Sequence, residues 1–293
     1  MEKKRVLITG GSGFIGEHLV KRFIRGGQEV CVYDCVKPSI SVETIIGDVF
    51  DFKKLKKVVD KFDVVVHCVG LADAGIAQRD PTKSFKLNTE SLQNVLEACR
   101  VSDNNKKIIF PSSAAVYGIV EDLPIKENFP LKPTNIYSWH KYLCEKLIQG
   151  YHDNFGINFV ILRLFNVYAA KNKGVIKIFI EKAKKGEIIE SFGPYQYRDF
   201  VYAGDVAEAF YKATIYEKAT NRIVNIGCGK GFQIKDILDL ICEIFPQAKW
   251  KEVKSDFIMY DLIADITLAK VLLDFNPHTS REFMKKVIVE EMI

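Results

Sequence analysis

TGGSGFIG, residues 9–16, is the most informative stretch of this 293-residue chain. It follows a β-rich run, Arg5–Thr9, and opens a segment of helical spacing that stops at Gly26-Gly27. Glycines between a strand and a helix allow a tight turn and a close approach of the backbone to a pyrophosphate, whose charge the helix N-terminus favours. A second β-rich run, Glu29–Asp34, follows in the order that a dinucleotide-binding unit requires. We therefore predict a dinucleotide site at this first crossover.

Asp34 is predicted to select the dinucleotide. It ends the second strand, 18 residues after Gly16, where a carboxylate can accept hydrogen bonds from both adenosine ribose hydroxyls and repels a 2′-phosphate. NAD is therefore favoured over NADP, although the nearby Lys37 weakens that preference. A tight-turn loop followed by a surface aspartate is the alternative interpretation.

The alternation of strand-like and helix-like segments predicts the fold. Apolar, β-branched runs recur between helical segments, which is typical of a parallel sheet covered on both faces. We predict an α/β fold, a Rossmann-type doubly wound parallel sheet with a smaller interleaved C-terminal substrate lobe. Residues 1–168 would form the NAD-binding domain, with 199–226 returning to it, and 169–198 with 227–293 would form the lobe. The pattern also predicts two long helices, about 82–102 and 137–155, and a loop over 191–196.

Composition argues against several other classes of protein. The net charge of +5, from 42 basic and 37 acidic residues, is too small to indicate a nucleic-acid-binding protein. The seven cysteines contain no CxxC pair and the five histidines are scattered, so neither a disulfide framework nor a metal site is predicted. The N-terminal residues show no signal-peptide pattern, and no apolar run reaches the length of a membrane span. We expect a cytoplasmic protein with no membrane partner.

Tyr137 and Lys141 are candidate catalytic residues. They open a predicted helix four residues apart, so they share one of its faces. A tyrosine is a poor base at neutral pH, but a neighbouring ammonium and the positive nicotinamide ring favour its phenolate form. Tyr137 would then remove a proton from a substrate hydroxyl, and Lys141 would also hold the nicotinamide ribose.

Ser113 is the third candidate. It lies at the carboxyl end of a predicted buried strand, the edge at which open α/β sheets bind ligands. Its hydroxyl would hydrogen-bond the reacting oxygen as that oxygen changes between hydroxyl and ketone. An ordinary turn or helix cap is the alternative for Ser112-Ser113.

Further motifs accompany these residues along nearly the whole chain. They are Gly47-Asp48-Val49, Asn88, Ser112-Ser113-Ala114-Ala115-Val116-Tyr117-Gly118, Arg163-Leu164-Phe165-Asn166-Val167-Tyr168, Arg198-Asp199-Phe200-Val201-Tyr202, Asp205-Val206-Ala207, Asn225-Ile226-Gly227 and Ala264-Asp265-Ile266. In combination with the glycine turn and the Tyr137–Lys141 pair, they resemble the extended short-chain dehydrogenase/reductases. The resemblance is to their NAD-dependent sugar-nucleotide epimerase/dehydratase family, which is typified by UDP-glucose 4-epimerase.

The resemblance implies a role for each matched position. NAD would be held by Gly10, Gly13, Phe14, Ile15, Gly16, Asp34, Asp48, Val49, Val69, Gly70, Asn88, Tyr137 and Lys141, and the nucleotide-sugar substrate by Ser113, Asn166 and Arg198. A guanidinium suits a diphosphate, but a salt bridge of Arg198 with Asp199 or Asp205 is the alternative. Asn166 could equally be a strand-end turn residue, and Asn88 a polar helix residue that satisfies backbone groups.

Two departures from the family pattern leave the nucleotide and the sugar open. After Tyr168 the family usually continues Gly-Pro-Gly-Gln, whereas Ala169-Ala170-Lys171-Asn172 follows here. The family's Arg-x-Gly-Asp stretch is absent, and Lys254-Ser255-Asp256 is the nearest equivalent. A second diphosphate-binding arginine is therefore missing or replaced.

The resemblance favours C4 epimerisation of an NDP-hexose, with a UDP-sugar preferred, through a 4-keto intermediate. Ala114 and Ala115 occupy the positions at which related dehydratases carry acidic groups, so elimination is disfavoured. An NDP-4-keto-sugar reductase, a C4 dehydrogenase and a non-catalytic Rossmann binding protein stay open as alternatives. The two long helices resemble those of the family's dimer interface, so a homodimer is expected.

Overall fold

The computed structural model describes residues 3–102, 106–169, 174–254 and 260–292. The strands in these ranges are β1 Arg5–Thr9, β2 Glu29–Asp34, β3 Glu43–Ile46, β4 Val64–His67, β5 Lys107–Ser113, β6 Asn158–Leu164, β7 Asn166–Tyr168, β8 Ile188–Phe192, β9 Tyr197–Tyr202, β10 Arg222–Ile226, β11 Gly231–Gln233 and β12 Lys249–Val253. The α-helices are α1 Phe14–Arg25, α2 Phe52–Val59, α3 Ala74–Arg79, α4 Pro81–Phe85, α5 Ser91–Arg100, α6 Ile136–Phe155, α7 Val175–Lys184, α8 Ala203–Ile215, α9 Ile234–Ile244, α10 Thr267–Leu273 and α11 Arg281–Val287.

Seven strands form the main sheet in the order β3-β2-β1-β4-β5-β6-β10, and every neighbouring pair is parallel. The chain order reverses between β1 and β4, which leaves a crevice beyond their carboxyl ends. The predicted α/β, doubly wound Rossmann-type sheet is confirmed.

The strands are apolar on both faces because helices cover both faces of the sheet. Along β1, Val6 and Ile8 belong to an apolar cluster on one face, while Leu7 belongs to the cluster on the other. The first cluster includes residues of α1, α8 and α10, and the second includes residues of α2, α5 and α6. This two-residue alternation between buried faces is the one expected for a parallel sheet.

Two smaller sheets lie in the second half of the chain. Strand β9 lies between β7 and β11 in a three-stranded sheet, and β8 pairs with β12. A third apolar cluster joins α7, α9 and α11 to these strands. Strand β10 returns to the large sheet, while the division into a Rossmann domain and a substrate lobe stays a prediction.

Two predicted segments differ in the structure. The helix expected over about 82–102 consists of α4, a π-helical turn at Lys86–Glu90 and α5. The loop expected over 191–196 begins inside β8, because Ser191 and Phe192 pair with β12. Among the described residues, no helix is both long enough and apolar enough to cross a membrane.

Candidate active site

The glycine turn between β1 and α1 is shaped by close backbone approaches. Gly10 has φ +73°, and a Cβ atom there would lie 2.6 Å from the backbone nitrogen of Val69. A Cβ atom at Gly16 would lie 2.4 Å from the carbonyl oxygen of Gly10. Helix α1 starts after Gly13, and no side chain of the described residues caps its first turn. Bare backbone and uncapped N–H groups therefore meet at the carboxyl end of β1, as an anionic pyrophosphate requires.

Asp34 lies in the cavity beside this turn. Its two carboxylate oxygens accept hydrogen bonds from the backbone N–H groups of Ser12, at 3.0 Å, and Val36, at 3.3 Å. The cavity has a volume of about 380 Å³, and Gly10, Gly13, Asp34, Asp48, Val49, Val69 and Gly70 are among its lining residues. The predicted adenosine contacts are thus brought together around one carboxylate.

A second cavity adjoins the first through a shared wall of Cys68, Val69 and Gly70. It has a volume of about 350 Å³. The predicted residues that line it are Phe14, Ile15, Val69, Gly70, Asn88, Ser113, Tyr137, Lys141 and Asn166. All three candidate catalytic residues therefore face one space at the carboxyl edge of the sheet, and we call it the reaction pocket.

Helix α6 delivers Tyr137 and Lys141 to the reaction pocket. Asn135 caps its start by accepting the N–H of Ser138 at 2.9 Å. Lys141 is buried, and its ammonium donates to the carbonyl oxygen of Pro111 at 2.8 Å, which holds the helix against the end of β5. Ser113 Oγ accepts the N–H of Ala115 at 3.2 Å, so the predicted cap role is present together with a place in the pocket wall.

Asn88 is held on the other wall of the reaction pocket. Its side chain bonds both backbone groups of Leu71, accepting the N–H at 3.0 Å and donating to the carbonyl oxygen at 3.2 Å. A Cβ atom at Gly70 would lie 2.7 Å from Asn88 Oδ1. The backbone-satisfying role considered for Asn88 is therefore observed, at a loop that forms part of the pocket wall.

A buried charged network, which the sequence analysis did not find, lies under the reaction pocket. Arg163 on β6 donates to Glu145 on α6 at 3.0 and 2.7 Å, and Ser112 Oγ donates to Glu145 at 2.5 Å. Arg163 also donates to the Tyr117 hydroxyl at 2.9 Å, and burial raises the pKa of Tyr117 to about 12. The network ties β5, β6 and α6 together beside Ser113. An arginine inside the apolar run of β6 was its only signal in the sequence.

A third cavity, of about 280 Å³, adjoins the reaction pocket through Asn166, Val175 and Phe200. Arg198 lines it and donates to Gln196 Oε1 at 2.9 Å, to the Tyr197 carbonyl at 3.0 Å and to the Tyr260 carbonyl. The groove formed by the three cavities therefore runs from Asp34 to Arg198.

The salt bridge considered for Arg198 is wrong. The Asp199 carboxylate accepts backbone N–H groups of Cys228, Gly229 and Ala264 instead, and burial raises its pKa to about 6. Asp205 bonds the ring and the backbone N–H of His278. Both carboxylates have other partners, so the Arg198 guanidinium lies in the cavity wall without a carboxylate bonded to it among the described residues.

Two buried polar atoms in the third cavity have no hydrogen-bond partner among the described residues. They are Ser191 Oγ and Gln196 Nε2. An unsatisfied buried polar atom is costly, and both of these atoms belong to residues of the cavity wall beside Arg198. Two segments depart from the family pattern, 169–172 and 254–256. Their residues 170–172 and 255–256 lie outside the described residues, and Lys254 is exposed.

Comparison with known proteins agrees with this geometry. The family model described as "NAD dependent epimerase/dehydratase family" matches residues 6–227. UDP-glucose 4-epimerase of Lacticaseibacillus casei is 31% identical over 273 residues, which cover 83% of this chain and 82% of that protein. The chain belongs to the NAD-dependent epimerase/dehydratase family. It is an enzyme of that family, and its cofactor is NAD.

Two solved structures extend the comparison over the whole chain. UDP-N-acetylglucosamine 4-epimerase from Methanobrevibacter ruminantium M1, in complex with UDP-N-acetylmuramic acid, is 26% identical with a TM-score of 0.89, covering 100% of this chain and 98% of that one. UDP-glucuronic acid 4-epimerase from Bacillus cereus, in complex with UDP-glucuronic acid and NAD, is also 26% identical with a TM-score of 0.89, covering 98% of both chains. The family and fold predictions are confirmed, while these relatives differ in the sugar that their names give.

Proposed function

We propose that the protein is an NAD-dependent C4 epimerase of a UDP-hexose. The observation that supports this most is the groove, in which the bare glycine turn, the Tyr137–Lys141–Ser113 group and Arg198 line three adjoining cavities. NAD would lie in the cavity beside Asp34 and extend into the reaction pocket. The nucleotide sugar would lie in the remainder of the reaction pocket and in the third cavity. The residues fit NAD because a pyrophosphate finds unobstructed backbone at Gly10 and Gly16, and a ribose finds the Asp34 carboxylate.

The chain's own groups would control the proton and the reacting oxygen. Tyr137 would take the proton of the C4 hydroxyl and later return it, assisted by the positive charge of Lys141. Ser113 would hydrogen-bond the same oxygen in its hydroxyl and keto forms. Bound NAD supplies hydride acceptance and return. The 4-keto sugar would have to present its opposite face before reduction, so that the configuration at C4 changes while the cofactor is unchanged.

Arg198 and Asn166 would bind the nucleotide end of the substrate. A guanidinium is a strong partner for a diphosphate. The names of the relatives support a UDP-sugar over other nucleotide sugars. A 4-keto-sugar reductase and a C4 dehydrogenase need the same three catalytic side chains, so they are the alternatives that an assay must separate. Ala114 and Ala115 still argue against elimination.

The test is a panel of UDP-, dTDP- and GDP-sugars followed by NMR and by absorbance of NADH. Epimerisation predicts a change of configuration at C4 with no net NADH, whereas stoichiometric NADH would indicate a dehydrogenase. No conversion across the panel, with NAD bound, would contradict the proposal and favour a binding protein.

Tyr137→Phe is the matched variant for this assay. It keeps the ring but removes the hydroxyl, so turnover should fall by about 10² to 10⁴-fold with NAD affinity and thermal midpoint near those of the wild type. Near-normal turnover would remove Tyr137 from the mechanism. A homodimer, a cytoplasmic location and the division of the chain into two lobes belong to the same proposal, and they rest on the family resemblance.

A further inference from the structure

Helix α6 carries a second functional row beside the catalytic one. Tyr137 and Lys141 face the reaction pocket, while His140 and Cys144, also four residues apart, contact the segment of α4 and the π-helical turn. His140 is buried, with 7% of its surface exposed, whereas the adjacent Trp139 is 47% exposed. A buried histidine next to the catalytic lysine therefore needs a specific polar partner.

That partner is Ser84, the first residue of a hydrogen-bonded chain that ends at the reaction pocket. His140 Nδ1 lies 2.9 Å from Ser84 Oγ, and Asn88 Nδ2 donates to the same oxygen at 3.2 Å. Asn88 also holds both backbone groups of Leu71, and Leu71 lines the reaction pocket. The chain His140–Ser84–Asn88–Leu71 thus joins α6 to the pocket wall.

Leu71, the last member of this chain, determines the direction of the bonds that Asn88 makes. Leu71 offers one donor and one acceptor, so Asn88 must place Oδ1 on the N–H and Nδ2 on the carbonyl. The other hydrogen of Nδ2 points to Ser84 Oγ, which leaves the Ser84 hydroxyl hydrogen for His140 Nδ1. In this arrangement the His140 ring is neutral with its proton on Nε2, and every bond of the chain joins one donor to one acceptor. With Nδ1 protonated, Ser84 Oγ would accept two N–H groups and its own hydrogen would lack an acceptor within the chain.

We propose that His140 is a positioning residue that acts through Ser84 and Asn88 to hold Gly70 and Leu71 in the geometry that binds NAD, and that its protonation loosens this wall. The inference rests on the proposed function in placing the nicotinamide half of NAD beside Leu71. It predicts that NAD affinity falls below pH 7. The group whose protonation causes this loss would be His140, which is not one of the residues proposed to contact NAD.

Electrostatics around His140 are consistent with a neutral ring. Burial alone lowers the pKa of His140 below its usual 6.5. The charged groups on its own helix and on the elements packed against that helix do not contribute to this shift. On α6 they are Lys141, Glu145, Lys146 and Asp153, and on the packed elements they are Arg79, Lys83, Lys86, Glu90, Glu97, Arg100, Lys107 and Arg163. The edge of the Phe85 ring meets His140 with the two ring centres 5.6 Å apart. The ring is therefore neutral at pH 7 and becomes a cation only in more acidic solution.

The test measures the dissociation constant of NAD by calorimetry from about pH 8 to about pH 5, the range over which histidine titrates. His140→Phe keeps an aromatic ring against Phe85 but removes the acceptor for Ser84. It should weaken NAD binding at all pH values by about tenfold, the effect of one lost buried hydrogen bond. His140→Asn places an acceptor near the Nδ1 position and cannot be protonated, so it should retain affinity at neutral pH and lose the acid-side decrease.

His152→Asn is the matched control, because His152 lies on the same helix and bonds the carbonyl oxygen of Ile157. It should follow the wild-type pH profile. If His140→Phe does not fold, Ser84→Ala breaks the same chain with a smaller change and should give the same loss of NAD affinity. Wild-type NAD affinity in Ser84→Ala, or an unchanged acid-side decrease in His140→Asn, would overturn the inference.

Turnover of UDP-glucose by the same variants separates this inference from the proposed function. Variants that change NAD affinity as expected, in a protein that converts no UDP-sugar, would support the positioning role and contradict the epimerase assignment. Normal epimerase activity with NAD affinity that does not depend on Ser84 and His140 would do the reverse.

Discussion

At the scale of single residues, we expect one carboxylate to determine the preference for NAD over NADP. Asp34 is oriented by the backbone N–H groups of Ser12 and Val36, and it lines the cavity that we propose for adenosine. The same negative charge that attracts two ribose hydroxyls opposes a 2′-phosphate. Lys37, which weakened the sequence prediction, is not among the residues that line this cavity.

Asp34→Asn is expected to change this preference because it keeps the shape and removes the charge. NAD affinity should fall by about tenfold, as for one charge-assisted hydrogen bond, and NADP affinity should rise. Calorimetry with both dinucleotides measures the ratio. Asp48→Asn is the control, since Asp48 is a carboxylate in the same cavity and its loss should not improve NADP binding. An unchanged NAD-to-NADP ratio in Asp34→Asn would show that the discrimination lies elsewhere.

At the scale of elements, the strand–turn–helix unit depends on Gly10. The residue combines a positive φ of +73° with a 2.6 Å approach to the Val69 backbone nitrogen, so β1, α1 and the end of β4 meet there. Gly27, at the other end of α1, has a similar φ of +75° and nothing within 4 Å of a Cβ atom. Substitutions at these two glycines therefore distinguish the cost of backbone strain alone from the cost of strain together with a steric collision.

Gly10→Ala and Gly27→Ala form a matched pair. Gly27→Ala should cost about 1–2 kcal/mol of unfolding free energy, the strain of a left-handed alanine, and leave NAD binding intact. Gly10→Ala adds a collision with backbone that cannot move aside, so it should cost at least about 2 kcal/mol more and abolish NAD binding. Urea unfolding and calorimetry give the two quantities. Equal losses of stability in both variants would mean that the close approach carries no penalty.

Local sequence predicted the elements whose signals are local. The unit from Arg5 to Asp34 was predicted because its glycines, strands and helix are contiguous. The π-helical turn at Lys86–Glu90 was not predicted, because the contacts made there by Asn88 are with Leu71 and Cys144, which are distant in sequence. Strand β8 was missed for a related reason, since its partner β12 lies about sixty residues later and Phe192 precedes a turn-forming Gly193.

The candidate site shows the same division between local and distant signals. The sequence pattern predicted Ser113, Tyr137 and Lys141, the family resemblance added Val69, Gly70, Asn88 and Asn166, and the structure brings these residues together in the wall of the reaction pocket. The supporting bonds of Lys141 with Pro111, and of Arg163 with Glu145, join separate elements, and no periodicity in the sequence specifies such pairs. Arg163 alone was conspicuous, because a charge in a buried strand requires a partner.

His67, the last residue of β4, should make the stability of the folded protein depend on pH. Its ring accepts from the Thr9 hydroxyl at 2.8 Å and donates to Ser91 Oγ at 3.2 Å, because Ser91 gives its own hydrogen to the Leu87 carbonyl. Burial, with a smaller effect of the Lys141 charge, lowers the pKa of His67 from 6.5 to about 3. The folded protein therefore resists protonation of a group that is protonated readily when unfolded.

Stability should consequently fall as the pH drops from about 6.5 toward 3, where the unfolded chain binds the additional proton. The loss at pH 5 should reach about 2 kcal/mol, measured by urea unfolding at pH 7.5 and 5. His67→Gln cannot be protonated and should show a smaller pH dependence than the wild type, even if it is less stable at both values. His152→Gln serves as the control, because the His152 ring bonds the uncharged carbonyl of Ile157. The same pH dependence in His67→Gln and the wild type would contradict the assignment of the stability loss to protonation of His67.

At the scale of the whole molecule, the groove joins the two halves of the chain. The first cavity is lined by residues of the first half, and the third by residues between Asn166 and Ile234. The reaction pocket shares walls with both, and α6 contributes Tyr137 and Lys141 to its lining. The opposite surface of α6 is also informative, because Trp139 and Leu143 are 47% and 39% exposed there and Phe85 on α4 is 45% exposed.

We expect this apolar surface of Phe85, Trp139 and Leu143 to be covered by a second copy of the chain. Large apolar side chains on two neighbouring helices are unfavourable in water and typical of an interface. Light scattering should therefore give about twice the single-chain mass of 33.3 kDa, and the double variant Trp139→Glu, Leu143→Glu should give the single mass, because two buried carboxylates would lack partners. Ile178→Glu, at a residue 51% exposed on α7, should remain dimeric.

A wild-type protein with the single-chain mass would make the dimer prediction wrong, and a dimer that survives the double variant would place the interface on another surface. Because Phe85 contacts His140, the monomeric variant should also bind NAD more weakly, which calorimetry on the two forms would measure.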